Sequence, residues 1–213
     1  MPDLIAAAPR TLIRLLRLPN RVVTRAFFDL EVNGAENLPR DGPVVIAANH
    51  FSHLDPPVIA VNLDRYLRFL ALDDLFAESR VFAGLLQFFG TISLDRDGYP
   101  IRAMRESIDH LKVGGALCLF PEGRRVDRWG EDPPKRGAAW LAWMTGAPLV
   151  PVAIVGTQHS LAPGERAFRR TAVKIWIEEP IWWDAYENDA DPIGSMMDDW
   201  YAVVDDRVRH WNR

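Results

Sequence analysis

The feature that most constrains the fold is a set of short apolar runs, each of which stops at a polar cluster or a glycine. Val44-Val-Ile-Ala-Ala48 opens into Asn49-His-Phe-Ser-His-Leu-Asp-Pro-Pro57, and Ala116-Leu-Cys-Leu-Phe120 opens into Pro121-Glu-Gly-Arg-Arg125. Leu149-Val-Pro-Val-Ala-Ile-Val155 ends at Gly156. Runs of this length and β-branched texture read as strands, and they alternate with helical patterns, as in an α/β domain. Strands are predicted at 29–32, 43–48, 67–72, 90–94, 116–120, 149–155 and 172–178. Helices are predicted at 56–63, 80–89, 101–112, 136–145 and 195–211. The expected fold is therefore a mixed central sheet of about seven strands flanked by helices. The last helix carries Met197, Trp200, Val204, Val208 and Trp211 at helical spacing, which predicts a stripe facing the sheet.

The first 28 residues differ from the rest. Arg10, Arg14, Arg17, Arg21 and Arg25 follow one helical stripe while Leu12, Ile13, Leu16, Val22 and Phe27 take other faces, and Asp3 is the only acid. Pro19 divides the stretch into two short helices at 10–18 and 20–28. A basic amphipathic segment of this kind suits the surface of an anionic bilayer; a surface helix packed on the domain is the alternative. The expected division is a membrane-docking segment at 1–28 and a catalytic-type domain at 29–213. No signal peptide is read, because the apolar run at 4–8 is too short and lacks a basic flank.

Charge narrows the class of partner. The formal net charge is −4, which argues against nucleic acid. That sum conceals a basic N-terminus and an acidic tail, since 178–206 holds ten acids and no base. Residues 137–164 carry no charged side chain and are long enough to span a bilayer, but Gly146, Pro148, Pro151 and Gly156 interrupt them, so a helix-turn-strand unit is expected. The single Cys118 lies inside an apolar run and reads as a buried structural thiol.

Three polar clusters could carry chemistry. His50, five residues before Asp55, could use that carboxylate to fix its tautomer and then take a proton from a bound hydroxyl. His53, within the turn, is the rival base, and Asp55 before Pro56 is equally a ready helix N-cap. The second cluster is Asp95-Arg96-Asp97-Gly98, in which Arg96 offers a phosphate-binding fork. The third is Glu122-Gly123-Arg124-Arg125, followed by Lys135 at a predicted helix start. Each follows a predicted strand, so all three could converge on one sheet edge.

In these residues the chain resembles the glycerolipid acyltransferases of the lysophosphatidic acid acyltransferase type. Their Asn-His-x-Ser-x-x-Asp block matches 49–55, their Gly-x-Ile-x-x-x-Arg block matches 90–96, and their Phe-Pro-Glu-Gly-Thr-Arg block matches 120–125. Their Val-Pro-Val block matches 150–152. Order and spacing agree across about residues 30–180, including the Lys135-Arg-Gly-Ala-Ala139 run. The resemblance implies His50 as general base and Asp55 as the group that orients it. It implies Arg96, Glu122 and Arg125 as the acceptor site, with Gly123 permitting close approach. It also implies a shaping role near the thioester for the block at Pro151, acyl-CoA or acyl carrier protein as co-substrate, a lysophospholipid acceptor, and no cofactor or metal.

The implied reaction is transfer of a fatty acyl group to lysophosphatidic acid on the cytoplasmic face of a membrane, giving phosphatidic acid. Rivals are the same chemistry on another lysophospholipid or lipid alcohol, a CoA-independent transacylase, a thioesterase, and a non-catalytic lysolipid or acyl-CoA binding protein. Arg124 departs from the family's Thr: the added cation could tighten phosphate binding, contact the CoA phosphates, or signal a different acceptor headgroup, and Lys135 is expected beside it as a further substrate-binding residue.

Overall fold

The computed structural model of the protein describes residues 22, 24, 27–72, 90–94, 100–160 and 169–211. Seven strands lie among them: β1 (Phe28–Asn33), β2 (Val44–Ala48), β3 (Leu67–Leu72), β4 (Ile92–Leu94), β5 (Ala116–Leu119), β6 (Leu149–Val155) and β7 (Thr171–Ile177). They form one sheet in the order β1-β7-β6-β2-β5-β3-β4. Strands β2 to β6 share one direction; β7 is antiparallel to β6, and β1 is parallel to β7. The α-helices among the described residues are α1 (Asp55–Asn62), α2 (Ile101–Lys112), α3 (Gly137–Thr145) and α4 (Pro192–Trp211). The bounds expected for β3, β6 and α2 are met, and the other described elements shift by one to three residues. The predicted helices at 10–18 and 80–89 lie outside the described residues. Of the one expected at 20–28 only residues 22, 24, 27 and 28 are described, and Phe28 is buried and already pairs with Thr171 as the first residue of β1.

Strand β2 shows why its sequence carries no polar alternation. Val45 and Ala47 point into a core with Leu117, Leu119 and Ala153 beneath α2, α3 and α4, while Val44, Ile46 and Ala48 join Cys118, Val150 and Val152 beneath α1. Both faces are dry, so every position must be apolar. Nearer the sheet margin, β7 alternates between buried and part-exposed positions. The charge-free stretch resolves into α3, a left-handed Gly146 at φ 64°, and β6. Among the described residues no helix is long and apolar enough to cross a membrane. Pro151 is tolerated in this strand because its missing N–H falls one step past the β6–β7 pairing, where Glu178 N–H still donates to its carbonyl at 2.9 Å.

The sheet directions position everything that follows. Five parallel strands bring their C-terminal ends to one edge, the place where α/β folds gather ligand and catalytic groups. His50 follows β2, Glu122 follows β5 and Thr157 follows β6. Helix α4 braces this edge from behind: its buried stripe includes Met197, Trp200, Val204 and Val208, and Trp200 Nε1 donates to the Ala47 carbonyl at 2.9 Å. Trp200→Phe should lower the unfolding free energy by about 2 kcal/mol, from the lost hydrogen bond and the unfilled volume. An unchanged urea midpoint would place Trp200 outside the cooperative core.

Candidate active site

The turn after β2 is tied down residue by residue. The Asn49 side chain continues the β2–β6 pairing: Nδ2 donates to the Ile154 carbonyl at 2.8 Å and Oδ1 accepts from the Ile154 amide at 2.7 Å. Ser52 Oγ accepts from Leu54 N–H at 3.2 Å, and its carbonyl accepts from Asp55 N–H at 3.0 Å, closing the turn. His50 is held at both backbone groups, its N–H by Glu122 Oε1 at 3.2 Å and its carbonyl by the Val126 amide at 2.9 Å. Its ring stacks on Phe120, with centroids 4.0 Å apart.

His50 Nδ1 lies 2.9 Å from Asp55 Oδ2. The same oxygen accepts the amides of Phe51 and Ser52, both at 2.7 Å, and Oδ1 accepts the Thr157 hydroxyl. Asp55 is completely buried. An ionised carboxylate only accepts, so Nδ1 carries the proton and, in the neutral ring, Nε2 is left basic. Nε2 has no hydrogen-bond partner among the described residues, and the His50 side chain is 14% exposed. His53 is exposed, and the imidazole within reach of Asp55 is that of His50.

The N-cap reading of Asp55 is corrected. Helix α1 begins at Asp55 itself, after Leu54, and no side chain caps it. The carboxylate is drawn back onto the preceding turn by three N–H donors to Oδ2, and Oδ1 is taken by the Thr157 hydroxyl, which leaves none of it for the helix end.

Glu122 is the second buried carboxyl. It is 5% exposed, and while Oε1 holds His50, Oε2 has no hydrogen-bond partner among the described residues. Burial pushes this group up to about 7 against the pull of backbone hydrogen bonds, with nearby Asp55 and Asp132 adding to the rise. Gly123 has φ 72°, and a Cβ there would come within 2.5 Å of Lys135 Nζ, so the close approach it permits includes the lysine's. Lys135 N–H also donates to the Pro121 carbonyl at 2.8 Å.

Of the two arginines, Arg124 is engaged by Asp132 at 2.6 Å and Glu131 at 3.6 Å, and the Asp132 hydrogen bond raises its affinity for the proton. Arg125 is exposed and pairs with no acid among the described residues. Arg96 lies outside the described residues. Among the described residues no group of three or more His, Cys, Asp or Glu side chains forms a metal-binding cluster. The sequence reading missed Thr157; the available signal was a Gly-Thr pair ending the apolar strand β6 on the same edge as the other clusters.

Comparison with known proteins places the chain in a family. The sequence profile of the family described as Acyltransferase matches residues 29–155. The chain belongs to this acyltransferase family. It is 32% identical to the 1-acyl-sn-glycerol-3-phosphate acyltransferase of Bacillus subtilis over 154 residues, covering 71% of this chain and 73% of that protein. It is 29% identical to a chloroplastic enzyme of the same name from Brassica napus, spanning 73% of this acyltransferase but only 46% of the plant protein. Among solved structures, the 1-acyl-sn-glycerophosphate (LPA) acyltransferase of Thermotoga maritima superposes with a TM-score of 0.74 at 28% identity, covering 97% of this chain and 83% of that one.

Glu122 gives the acyltransferase a pH-dependent stability. Between the ordinary glutamate value of about 4.5 and about 7, the folded chain keeps a proton that the unfolded chain has released. Stability therefore falls as pH rises through that window, by about 3 kcal/mol in all, and is flat above it. Glu122→Gln does not titrate. Urea unfolding of both proteins should show the variant gaining on the parent by roughly that amount between about pH 4.5 and pH 7.5; a constant difference would refute the buried, shifted carboxyl.

Proposed function

We propose that the chain is a 1-acyl-sn-glycerol-3-phosphate acyltransferase, using an acyl-CoA or acyl carrier protein thioester and a lysophosphatidic acid acceptor. The observation that carries this reading is His50, with Nδ1 committed to Asp55 and Nε2 unengaged at the edge where the Glu122 loop also ends. Nε2 takes the proton of the acceptor hydroxyl as its oxygen attacks the thioester carbonyl. The tetrahedral centre then collapses, the carbon–sulfur bond breaks, and the imidazolium returns the proton to the departing thiolate. Products are phosphatidic acid and a free thiol, and Asp55 compensates the imidazolium charge between the two steps.

Arg125, Lys135 and Arg96 supply positive charge for the acceptor phosphate, and Glu122 Oε2 meets a polar group of the acceptor. Arg125 supports this part by being exposed and without an acidic partner among the described residues. The N-terminal arginines hold the enzyme to an anionic membrane surface at the cytoplasmic face, where the lysolipid resides.

Purified protein supplied with labelled acyl-CoA or acyl carrier protein and a panel of lysolipids should esterify lysophosphatidic acid, with His50→Ala lowering turnover at least about a hundredfold. Near-normal transfer by that variant would sink the mechanism; release of free fatty acid alone would favour a thioesterase. Arg125→Ala should impair phosphate-bearing acceptors more than acyl-CoA hydrolysis, and equal losses would count against the phosphate role. Neutralising the five N-terminal arginines should reduce low-salt sedimentation with anionic vesicles, whereas unchanged binding would favour a packed helix.

A further inference from the structure

We propose that Thr157 is a positioning residue for acyl transfer, its hydroxyl fixing the plane of the Asp55 carboxylate so that Oδ2 stays aimed at His50 Nδ1. The inference rests on His50 acting as the base. The two oxygens of Asp55 are held differently. Oδ2 accepts three N–H groups, all from residues 50–52 of its own turn, while Oδ1 accepts the Thr157 hydroxyl from the turn after β6. Rotation of a carboxylate about its last bond is soft. Donors gathered on one oxygen fix where that oxygen sits, and a donor on the other is needed to fix the plane. Thr157 and Asp55 are both completely buried, so bulk water cannot replace the hydroxyl.

The backbone is arranged to bring this hydroxyl to Asp55. Asn49 clamps Ile154 to the end of β2 with two hydrogen bonds, three residues before Thr157. Gly156 then turns the chain at φ 97°, and a Cβ there would come within 2.0 Å of the Ala172 carbonyl, so glycine alone permits the turn. Thr157 opens the short 3-10 turn Thr157–His159, whose end is closed by Ser160 N–H donating to the Thr157 carbonyl at 3.1 Å. The clamp and the hydroxyl both join β6 to the turn that carries His50. Strand β6 thus acts on His50 through Asp55, a task distinct from shaping a thioester pocket.

The test compares Thr157→Val, which keeps the shape and removes the donor, with Thr157→Ser, which keeps the donor. Valine should lower kcat about 10- to 100-fold with KM for donor and acceptor changed less than about threefold, as expected of a misaligned base. Serine should stay within about threefold of the parent in kcat. The Nδ1 proton signal of His50 in 15N-edited spectra should move in the valine variant and not in the serine variant. A valine variant with unaltered kcat and an unmoved Nδ1 signal would overturn the proposal, as would one that loses only thermal stability. Should valine prevent folding, a serine variant as impaired in kcat as Thr157→Ala would overturn it equally. His50→Ala separates the two levels: if it remains active the base assignment has failed, and if it is inactive while Thr157→Val is normal, only the role of Thr157 has.

Discussion

The buried carboxylate of Asp55 is the constraint around which the site is organised. A carboxylate withdrawn from water is costly unless its lone pairs are filled, and here an imidazole, two amides and a hydroxyl fill them. Three of those donors come from the turn after β2, so that turn cannot open without stranding the charge. The fourth comes from the turn after β6, the neighbouring strand. Satisfying one side chain therefore fixes the shape of a loop, the orientation of a histidine and the spacing of two strands.

Glu122 is the counterpart that is not satisfied. It holds the backbone N–H of the same histidine, yet Oε2 has no donor among the described residues and burial lifts the group toward neutrality. Two carboxyls that both contact His50 are thus set in opposite conditions, one surrounded by N–H and O–H donors and the other left to hold a proton. A buried carboxyl whose affinity for the proton is raised in this way is a mark of sites that handle protons. Phe120, stacked on the His50 ring, narrows access to solvent and sharpens the contrast.

Much of this was legible in the sequence, and what was missed has physical reasons. The apolar runs announced strands because β2, β5 and β6 are buried on both faces, and α4 followed from its periodicity. Asp55 was misread in part because Asp-Pro-Pro is also what a capped helix start looks like. Only the competition from three N–H donors shows that the carboxylate is spent elsewhere. Thr157 left little trace, since a threonine after a glycine is ordinary and its meaning depends on Asp55, 102 residues away. The N-terminal segment was read from an arginine stripe, a pattern that specifies a charged face without specifying what it rests on.

Local pairing also settles how much the acidic tail and the extra arginine count. Several tail acids are already engaged: Glu178 with Arg207, Asp205 with Arg209 and Trp129, Asp191 with Arg136, and Asp199 with the Tyr186 hydroxyl. Exposed pairs of this kind add little stability, but they bind α4 and the segment before it to the body of the domain and reduce the field that a bare charge count suggests. The same reasoning applies at Arg124, where the family pattern has threonine. Its guanidinium is matched by Asp132 and Glu131 from its own loop, so the added charge is met locally. The cation left without an acid in this block is Arg125, at the position where the family pattern also has arginine. A shift in acceptor headgroup is therefore not required by the departure at 124.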